Sequence, residues 1–555
     1  MLFTAAPMVM GGPLYQAYTS HGPVAGAGAV RSCFDHDPWQ HESEAARRSA
    51  AVDLEWTGDR AALAEMLVAL NRHLGAPAPA LGAAARLAEP GALAVVAGQQ
   101  AGLFGGPLYT VHKALGAVAL ARRMEALLRR PVVPVFWAAT EDHDLAEADH
   151  AWFPDGAGIW QRVRYVPQGV PEGLSVGAIP LQAGPLEQAL SGLAGALPGG
   201  YAGPKMVQLA RDAAASLGAS TYGAWFCRLM AVLLGPLGLP VVDPMAPAAR
   251  ALAAPGVRRI LEHGTAVQLA LGAGVARIEA AGLSPQVQPA AGEVNLFFYP
   301  EGPAGPRQAL VRTGDGRLCT REGRSEAGLD HYIRLSGQHP ELFGGNVATR
   351  PLLQDEIFPT LAYVAGPGEI AYYSQFRELY SALGRTMPLI WPRPSVTLVE
   401  PAARRRLARH GLSLEGLPDG LDARRRELLR AADETGVEAL IQTMQERIAA
   451  SYGPVLPALA GFDEVLGRLA ADNRRRVMDQ TAWLAKKARQ VLTQRCRTGL
   501  DQLERVRSSL WPRGGPQERT ANILYYLARY GPELLVELAE LPAGPPFVHH
   551  YAMIG

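Results

Sequence analysis

Between residues 91 and 140 the apolar positions change from an unbroken run to a helical stripe and back again. GALAVVAG (91–98) is a short apolar run ending in glycine, the pattern of a buried strand. Leu108, Val111, Leu115 and Val118 recur at three and four residues, which places one apolar stripe on a helix. Pro107 suits the first turn of that helix, where its missing N–H costs nothing. Arg122, Arg123, Arg129 and Arg130 gather at the far end, where positive charge complements the helix dipole. Pro131 ends the helix, and PVVPVFWAAT (131–140) predicts a second buried strand, with Pro134 arguing against a central place. Strand, glycine-rich turn, helix and strand make a βαβ unit, so the two strands are expected to be parallel.

The same alternation returns downstream. A helix over about 206–234 leads into LPVVDP (239–244), and a helix over about 369–384 leads into PLIWP (388–392). VNLFFY (294–299) reads as a further strand inside a more irregular region. The pattern predicts an α/β fold: a doubly wound parallel sheet with insertions. After about residue 400 the character changes. From Phe462 to Leu510 there is no proline and almost no glycine, and such a stretch as one helix would span roughly 75 Å. Leu484, Ala488 and Val491, then Leu503, Val506 and Leu510, stand at coiled-coil spacing with a register break between the two sets. An imperfect antiparallel coiled coil is the expectation. A tail helix over about 516–540 and the apolar end FVHHYAMIG are expected to pack back on the body. The division that follows is a core in three parts (1–155, 206–250 and 346–400), insertions at 156–205 and 251–345, a helical region at 401–515 and a tail at 516–555.

Composition narrows the class. At 555 residues, 48% hydrophobic and 19% charged, the chain has ample material for a large core. A net charge of +1 gives no bulk attraction to nucleic acid or an anionic membrane. The most apolar stretch, Trp225 to Pro240, contains Arg228 and is too short to span a bilayer. The start, MLFTAAPMVMGGP, lacks the basic region of a signal peptide. Four cysteines, Cys33, Cys227, Cys319 and Cys496, lie far apart without a CxxC, which disfavours a disulfide scaffold or a zinc ribbon and fits a reducing cytoplasm. Only Lys113, Lys205, Lys486 and Lys487 stand among the 53 basic residues, so a retained lysine draws notice.

Candidate chemistry clusters at predicted strand ends, where open α/β sheets bind their ligands. Glu141, Asp142, His143 and Asp144 follow the second strand, and three carboxylates around one imidazole could hold a proton or a metal. The alternative is a solvated acidic loop that caps the next helix. Glu147 and His150 match no metal-ligand spacing, so no metal site is assigned. The turn GQQAGLFGGP (98–107) lets backbone amides approach an anion ahead of a helix start. It is neither a GxGxxG nor a Walker loop. Gly98, Gln99, Gln100, Gly102, Thr110 and Lys113 are its candidate binding residues. AGPGEIAYYSQF (365–376) contributes Gly366, Gly368, Glu369, Tyr372 and Gln375, with helix packing as the alternative for the tyrosines. PRPSVT (392–397) offers Arg393, Ser395 and Thr397 as a cationic, hydroxyl-bearing loop suited to phosphate. The remaining histidines, including His21, His331, His339, His549 and His550, are read as surface or packing residues, and Cys227 as core.

Taken together, VVAGQQAGLFGGPLYTVHKA, VPVFWAATEDHDLAEADH, LPVVDP, LSPQVQ, VNLFFY, NVATRPLLQDEIFPTLAYVAGPGEIAYYSQF, MPLIWPRPSVTLVE and QERTANILYYLARYGPELL resemble the bacillithiol biosynthesis cysteine-adding enzymes. The likeness runs in order along nearly the whole chain. That family resembles class I aminoacyl-tRNA synthetases: a Rossmann-like core, connective-peptide-like insertions and a C-terminal coiled coil that pairs two subunits. The resemblance implies addition of L-cysteine to glucosaminyl-malate, with ATP or another nucleotide activating the cysteine carboxylate, in a cytoplasmic homodimer that uses neither nucleic acid nor membrane. Carried onto this chain, it makes the Gly98–Pro107 turn and Glu141–Asp144 bound the synthetase-type pocket and puts Arg393, Ser395 and Thr397 in the place of the second signature loop. Glu141, Asp142, His143 and Asp144 are the expected catalytic residues, with His143 or a neighbouring carboxylate taking the proton of the attacking nitrogen. The chain departs from the synthetases at their signatures. Tyr109-Thr110-Val111-His112 stands for HxGH, and the Arg393 loop has no lysine. Two rival readings remain: a class I-like nucleotidyltransferase or amide ligase on another small substrate, and a non-catalytic dimeric scaffold.

Overall fold

The computed structural model describes residues 1–8, 11–20, 27–156, 158–199, 202–215, 220–323 and 325–555. His21 lies outside the described residues. The chain divides into two compact units, Met1–Leu398 with Arg513–Gly555, and Val399–Pro512.

The βαβ unit forms where the apolar pattern places it. Strand β1 (Leu93–Gln100), helix α1 (Leu108–Leu128) and strand β2 (Val132–Ala139) follow one another. The two strands pair in parallel from Leu93 opposite Val132 to Gln100 opposite Ala139. With β3 (Val241–Val242), β4 (Thr360–Ala365) and β5 (Leu389–Pro392) they form a parallel sheet of order β5-β4-β1-β2-β3. Leu93, Val95 and Ala97 pack with Ala117, Leu120 and Met124 of α1. Ala94 and Val96 face a second core with Ala253, Val257 and Leu353. Burial on both faces is why these strands read as continuous apolar runs rather than alternations. Pro134 is accommodated because β3 pairs with Phe136 and Trp137 alone, so no ladder on that side reaches the proline.

Several predicted elements are subdivided. The 206–234 helix is Ala202–Ala215 and Tyr222–Leu234, the second started by Thr221, whose side chain accepts from the Ala224 N–H. The 369–384 helix is Pro367–Tyr373 and Arg377–Ala382. The tail helix is Ile523–Tyr530 and Glu533–Leu538, parted at Gly531 and Pro532. Between β3 and β4 an antiparallel sheet runs in the order Phe343–Gly345, Glu293–Phe298, Gln308–Arg312, Leu318–Thr320. The expected loop at 393–397 is instead mostly strand. Ser395–Val399 joins Leu2–Ala6 and His549–Met553 in a three-stranded sheet. The alternation of hydroxyl and apolar residues in SVTL is the two-residue period of a strand.

In the second unit, Val437–Phe462 and Glu464–Arg495 form an antiparallel hairpin. Glu438 meets Arg489, Gln445 meets Thr481 and Tyr452 meets Asn473, so the numbers run in opposite senses. Asp463 turns the chain and caps the second helix by accepting from the Leu466 N–H. The predicted register break is a break in the helix at Cys496, before Arg497–Leu510. No helix among the described residues is long and apolar enough to cross a membrane.

Candidate functional site

In the order β5-β4-β1-β2-β3 the winding reverses between β1 and β4, which leaves a crevice beyond the carboxyl ends of the strands. A cavity of about 720 Å³ lies there. It is of the size that takes a small-molecule substrate. β1 brings Gly98, Gln99 and Gln100, β2 brings Trp137 and Ala139, and the turn after β2 brings Glu141 and Asp142. Gly366, Gly368 and Glu369 follow β4, and Arg393 follows β5. Lys113 reaches in from α1 and Tyr372 from the helix after β4. The four candidate segments of the sequence therefore each contribute to the border of one cavity.

The glycine turn is shaped by close approach. A side chain at Gly102 would come within 2.8 Å of the Gly106 Cα, and Gly106 itself has φ +74°. Gly102 is thus a packing residue of the turn and does not line the cavity. Thr110 is buried beneath that turn, its Oγ1 3.0 Å from where a Gly106 side chain would begin, and it too stays out of the cavity. Lys113 has its ammonium engaged three times: by Gly98 O at 2.5 Å, by Gln99 Oε1 at 3.3 Å and by the Glu369 carboxylate. Burial pushes the ammonium down from its ordinary range and Glu369 opposes that shift. Glu369 also accepts from Tyr363 Oη and the Gly366 N–H, both at 2.7 Å. Burial alone would raise its carboxyl, but Lys113 and these donors hold it below the usual carboxylate range. A lysine with all three protons taken positions its neighbours, with no proton left over for a phosphate.

The acidic quartet does not surround its histidine. Glu141 is buried against Arg250 at 2.7 Å. Asp142 accepts from Gln100 Nε2 at 2.5 Å and from the His143 N–H at 2.7 Å. Burial raises its carboxyl, and Gln100, Arg307 and the backbone donors bring it below its ordinary value. Asp144 caps the short helix Leu145–Ala148 by accepting from the Glu147 N–H, so it serves the fold and not the cavity. His143 sits outside the cavity lining with 53% of its side chain exposed, and its Nδ1 lies 2.6 Å from Arg307 Nη2. The Asp142 carboxylate lies 3.4 Å from the same Nδ1, so His143 stands between a guanidinium and one carboxylate, not among three.

Gln375 also stands apart. Its Oε1 accepts from the Gln286 and Val287 N–H groups at 2.7 and 2.9 Å, fixing a loop whose Gln286 and Val287 line the cavity. Ser395 and Thr397 are buried strand residues facing His549, at 2.8 Å from Nδ1 and 3.0 Å from Nε2, and so do not reach a ligand in the cavity. His112 of the HxGH-like segment is turned away as well. It is fully buried with Nδ1 3.3 Å from Glu518, and burial pushes it below the ordinary histidine range.

Several lining residues have no place among the expected ones. Tyr109, Glu147, Arg307, Arg350 and Arg519 border the cavity. Arg350 donates to Tyr372 Oη at 2.7 Å, and Arg519 lies over the Tyr109 ring at 5.9 Å. Among the described residues neither arginine has a carboxylate partner within 4 Å, unlike Arg307 and Arg393. Glu147 likewise has no cation partner there. The cavity thus combines guanidiniums without a carboxylate partner, suited to an oxyanion, with a carboxylate without a cation partner, suited to an amine.

The family model for "Bacillithiol biosynthesis BshC, N-terminal Rossmann-like domain" matches residues 8–394. The model for "Bacillithiol biosynthesis BshC, C-terminal coiled-coil domain" matches residues 396–553. A protein of Heliobacterium modesticaldum is 37% identical over 519 residues, covering 90% of each chain. One of Symbiobacterium thermophilum is 34% identical, covering 92% of this chain and 93% of its own. One of Salinibacter ruber is 32% identical, covering 93% and 95%. All three carry the name "Putative cysteine ligase BshC".

Proposed function

Because the chain belongs to the bacillithiol biosynthesis BshC family, we propose that the switch-point cavity joins L-cysteine to the amine of glucosaminyl-malate in an amide bond. A nucleotide, with ATP as the leading candidate, supplies the leaving group by activating the cysteine carboxylate. The observation that carries this reading is the coexistence, in one cavity, of Arg350 and Arg519 without carboxylate partners and Glu147 without a cation.

The chain's own residues then divide the work. Arg350, Arg393 and Arg519 receive the oxyanions of the reactants and stabilise the charge that develops on the acyl oxygen and leaving phosphate. Asp142, held ionised by Gln100 and Arg307, orients the amino sugar through its hydroxyls or amine. As the nitrogen bonds to the acyl carbon, the bond from that carbon to the activating phosphate oxygen breaks. Glu147 accepts the proton that the nitrogen loses. Binding both partners in one cleft contributes much of the rate. His143, outside the cavity lining and engaged by Arg307, is assigned to holding that guanidinium in place.

The coiled-coil hairpin is assigned to pairing two copies. Leu440, Leu466, Leu484 and Val491 are exposed on its helices, and sedimentation at twice the 59.2 kDa chain mass is the expected result. The four unpaired cysteines suit work in the cytoplasm.

Incubation with ATP, L-cysteine and glucosaminyl-malate tests the function. The expected product has the combined mass of the two substrates less one water and forms only with nucleotide. Glu147→Gln is expected to lower kcat about 10²- to 10⁴-fold with the melting temperature unchanged. Absence of the condensed thiol would overturn the reading.

A further inference from the structure

Behind the cavity wall, Arg393 continues into a buried polar chain whose other members have no part in the reaction above. At its centre is Glu518, fully buried in the segment that follows the coiled-coil unit in sequence. Its Oε1 accepts from Arg393 Nη2 at 2.7 Å. Its Oε2 accepts from the Val396 N–H at 2.9 Å and faces His112 Nδ1 at 3.3 Å. Arg393 Nη1 donates to Pro394 O at 3.1 Å, and a side chain at Gly366 would come within 3.4 Å of Arg393 Nε. The guanidinium is therefore tied on its protein side, passes close to Gly366 and lines the cavity.

Arg393 lies 5.5 Å from the centre of the Tyr109 ring, and Arg519 lies 5.9 Å from the same ring. One dipeptide, Glu518-Arg519, thus fixes one guanidinium and supplies another beside a single aromatic ring. Neighbouring residues already moor the segment without Glu518. Asn522 Nδ2 donates to Phe104 O at 3.0 Å and Gly106 O at 2.9 Å, and Gln517 bonds Leu398 through both its donor and its acceptor. A buried carboxylate is costly unless matched, and breaking such a pair leaves a charge without a partner. Anchoring alone would not call for one here.

We propose that Glu518 is a positioning residue for the ligase reaction, holding the Arg393 guanidinium beside Tyr109 and Arg519 so that it receives a substrate oxyanion. The proposal rests on the reading of the cavity as the ligase site.

The test is a double-mutant cycle on kcat/KM for condensed thiol formation, with Glu518→Gln, Arg393→Gln and both together. Because Glu518 acts through Arg393, each single variant is expected to lose tenfold or more. The double variant should then lose no more than Arg393→Gln alone, within about threefold. Multiplying losses, or a folded Glu518→Gln within twofold of the parent, would overturn the proposal. The double variant removes both buried charges, so its comparison with the parent keeps the experiment readable if one single variant fails to fold. Glu518→Asp, which keeps the charge but shortens the reach, should fold and still lose tenfold; full activity would count against the role. If the parent protein makes no condensed thiol, the ligase reading falls. The same cycle is then read by calorimetric titration with inorganic pyrophosphate. Equal weakening in Glu518→Gln, Arg393→Gln and the double variant supports the positioning role. Undiminished binding in Glu518→Gln, or no binding by any form, overturns it.

Discussion

Arginine–carboxylate pairs occur in both compact units and do different work in each. In the sheet-bearing unit, Arg393–Glu518 at 2.7 Å and Arg250–Glu141 at 2.7 Å are buried. In the coiled-coil unit, Arg489–Glu438 at 2.9 Å is exposed, with 71% of the arginine side chain in solvent, and Arg475–Asp472 at 2.8 Å is exposed too. The distances are alike but the surroundings are not. In solvent a pair is screened and each partner is readily replaced by water. Where water is excluded, losing one partner strands the other, so the pair fixes geometry whether or not it adds net stability. The difference locates precision: the cavity walls are set by buried pairs, and the hairpin surface tolerates change.

That contrast can be broken from its strong side first. Arg250→Met leaves Glu141 buried without its guanidinium beside the cavity. A loss of about 3–5 kcal/mol in unfolding free energy is expected, with a lower melting temperature and impaired thiol formation. Retention of parental stability would show that Glu141 finds water or a proton cheaply.

A second prediction uses pH. Burial holds His549 down at about 4, whereas an unfolded histidine titrates near 6.5. Between those values the unfolded chain binds a proton that the folded chain refuses. Stability from this group is therefore complete above pH 6.5, falls as pH drops toward 4, and changes no further below. The full loss is up to about 3 kcal/mol. Denaturant unfolding at pH 7 and pH 4.5 should show a steeper fall for the parent than for His549→Gln. Identical slopes would mean that His549 is solvated.

The smallest effect belongs to the coiled-coil unit. Arg489→Ala should change unfolding free energy by no more than about 0.5 kcal/mol and leave thiol formation unaltered. A larger change would erase the distinction between the two settings.

Much of the frame was legible because its signals are local. The apolar run at 91–98, the stripe through Val118 and the run ending at Thr140 specify the βαβ unit, and with it the place of Gly98–Gln100 and Asp142. Arg393 was legible for the same reason, as the residue just after β5. Ser395 and Thr397 were misread although the strand alternation was present, because a cationic start and two prolines suggest a loop. The surroundings of His143 were not legible: sequence gives adjacency to three carboxylates, but not that Arg250 pairs with Glu141, that Asp144 caps at the Glu147 N–H, or that the ring meets Arg307 and Asp142 outside the cavity lining. Arg350 and Arg519 come from segments whose only mark is charge near a helix start. In the tail, the polar run QERTAN ahead of apolar ILYYL was the available signal. Its partner lies 125 residues away in sequence, and only the fold reveals such a contact.

The most direct test is backbone hydrogen exchange on the parent protein, with and without saturating L-cysteine, glucosaminyl-malate and ATP. Slowed exchange is expected in peptides covering Gln99–Gly106, Asp142–Glu147, Gly345–Arg350, Gly366–Glu369 and Glu518–Asn522, with little change across Val437–Arg495. Protection confined to the coiled-coil helices, or none at the carboxyl ends of the sheet, would contradict the account.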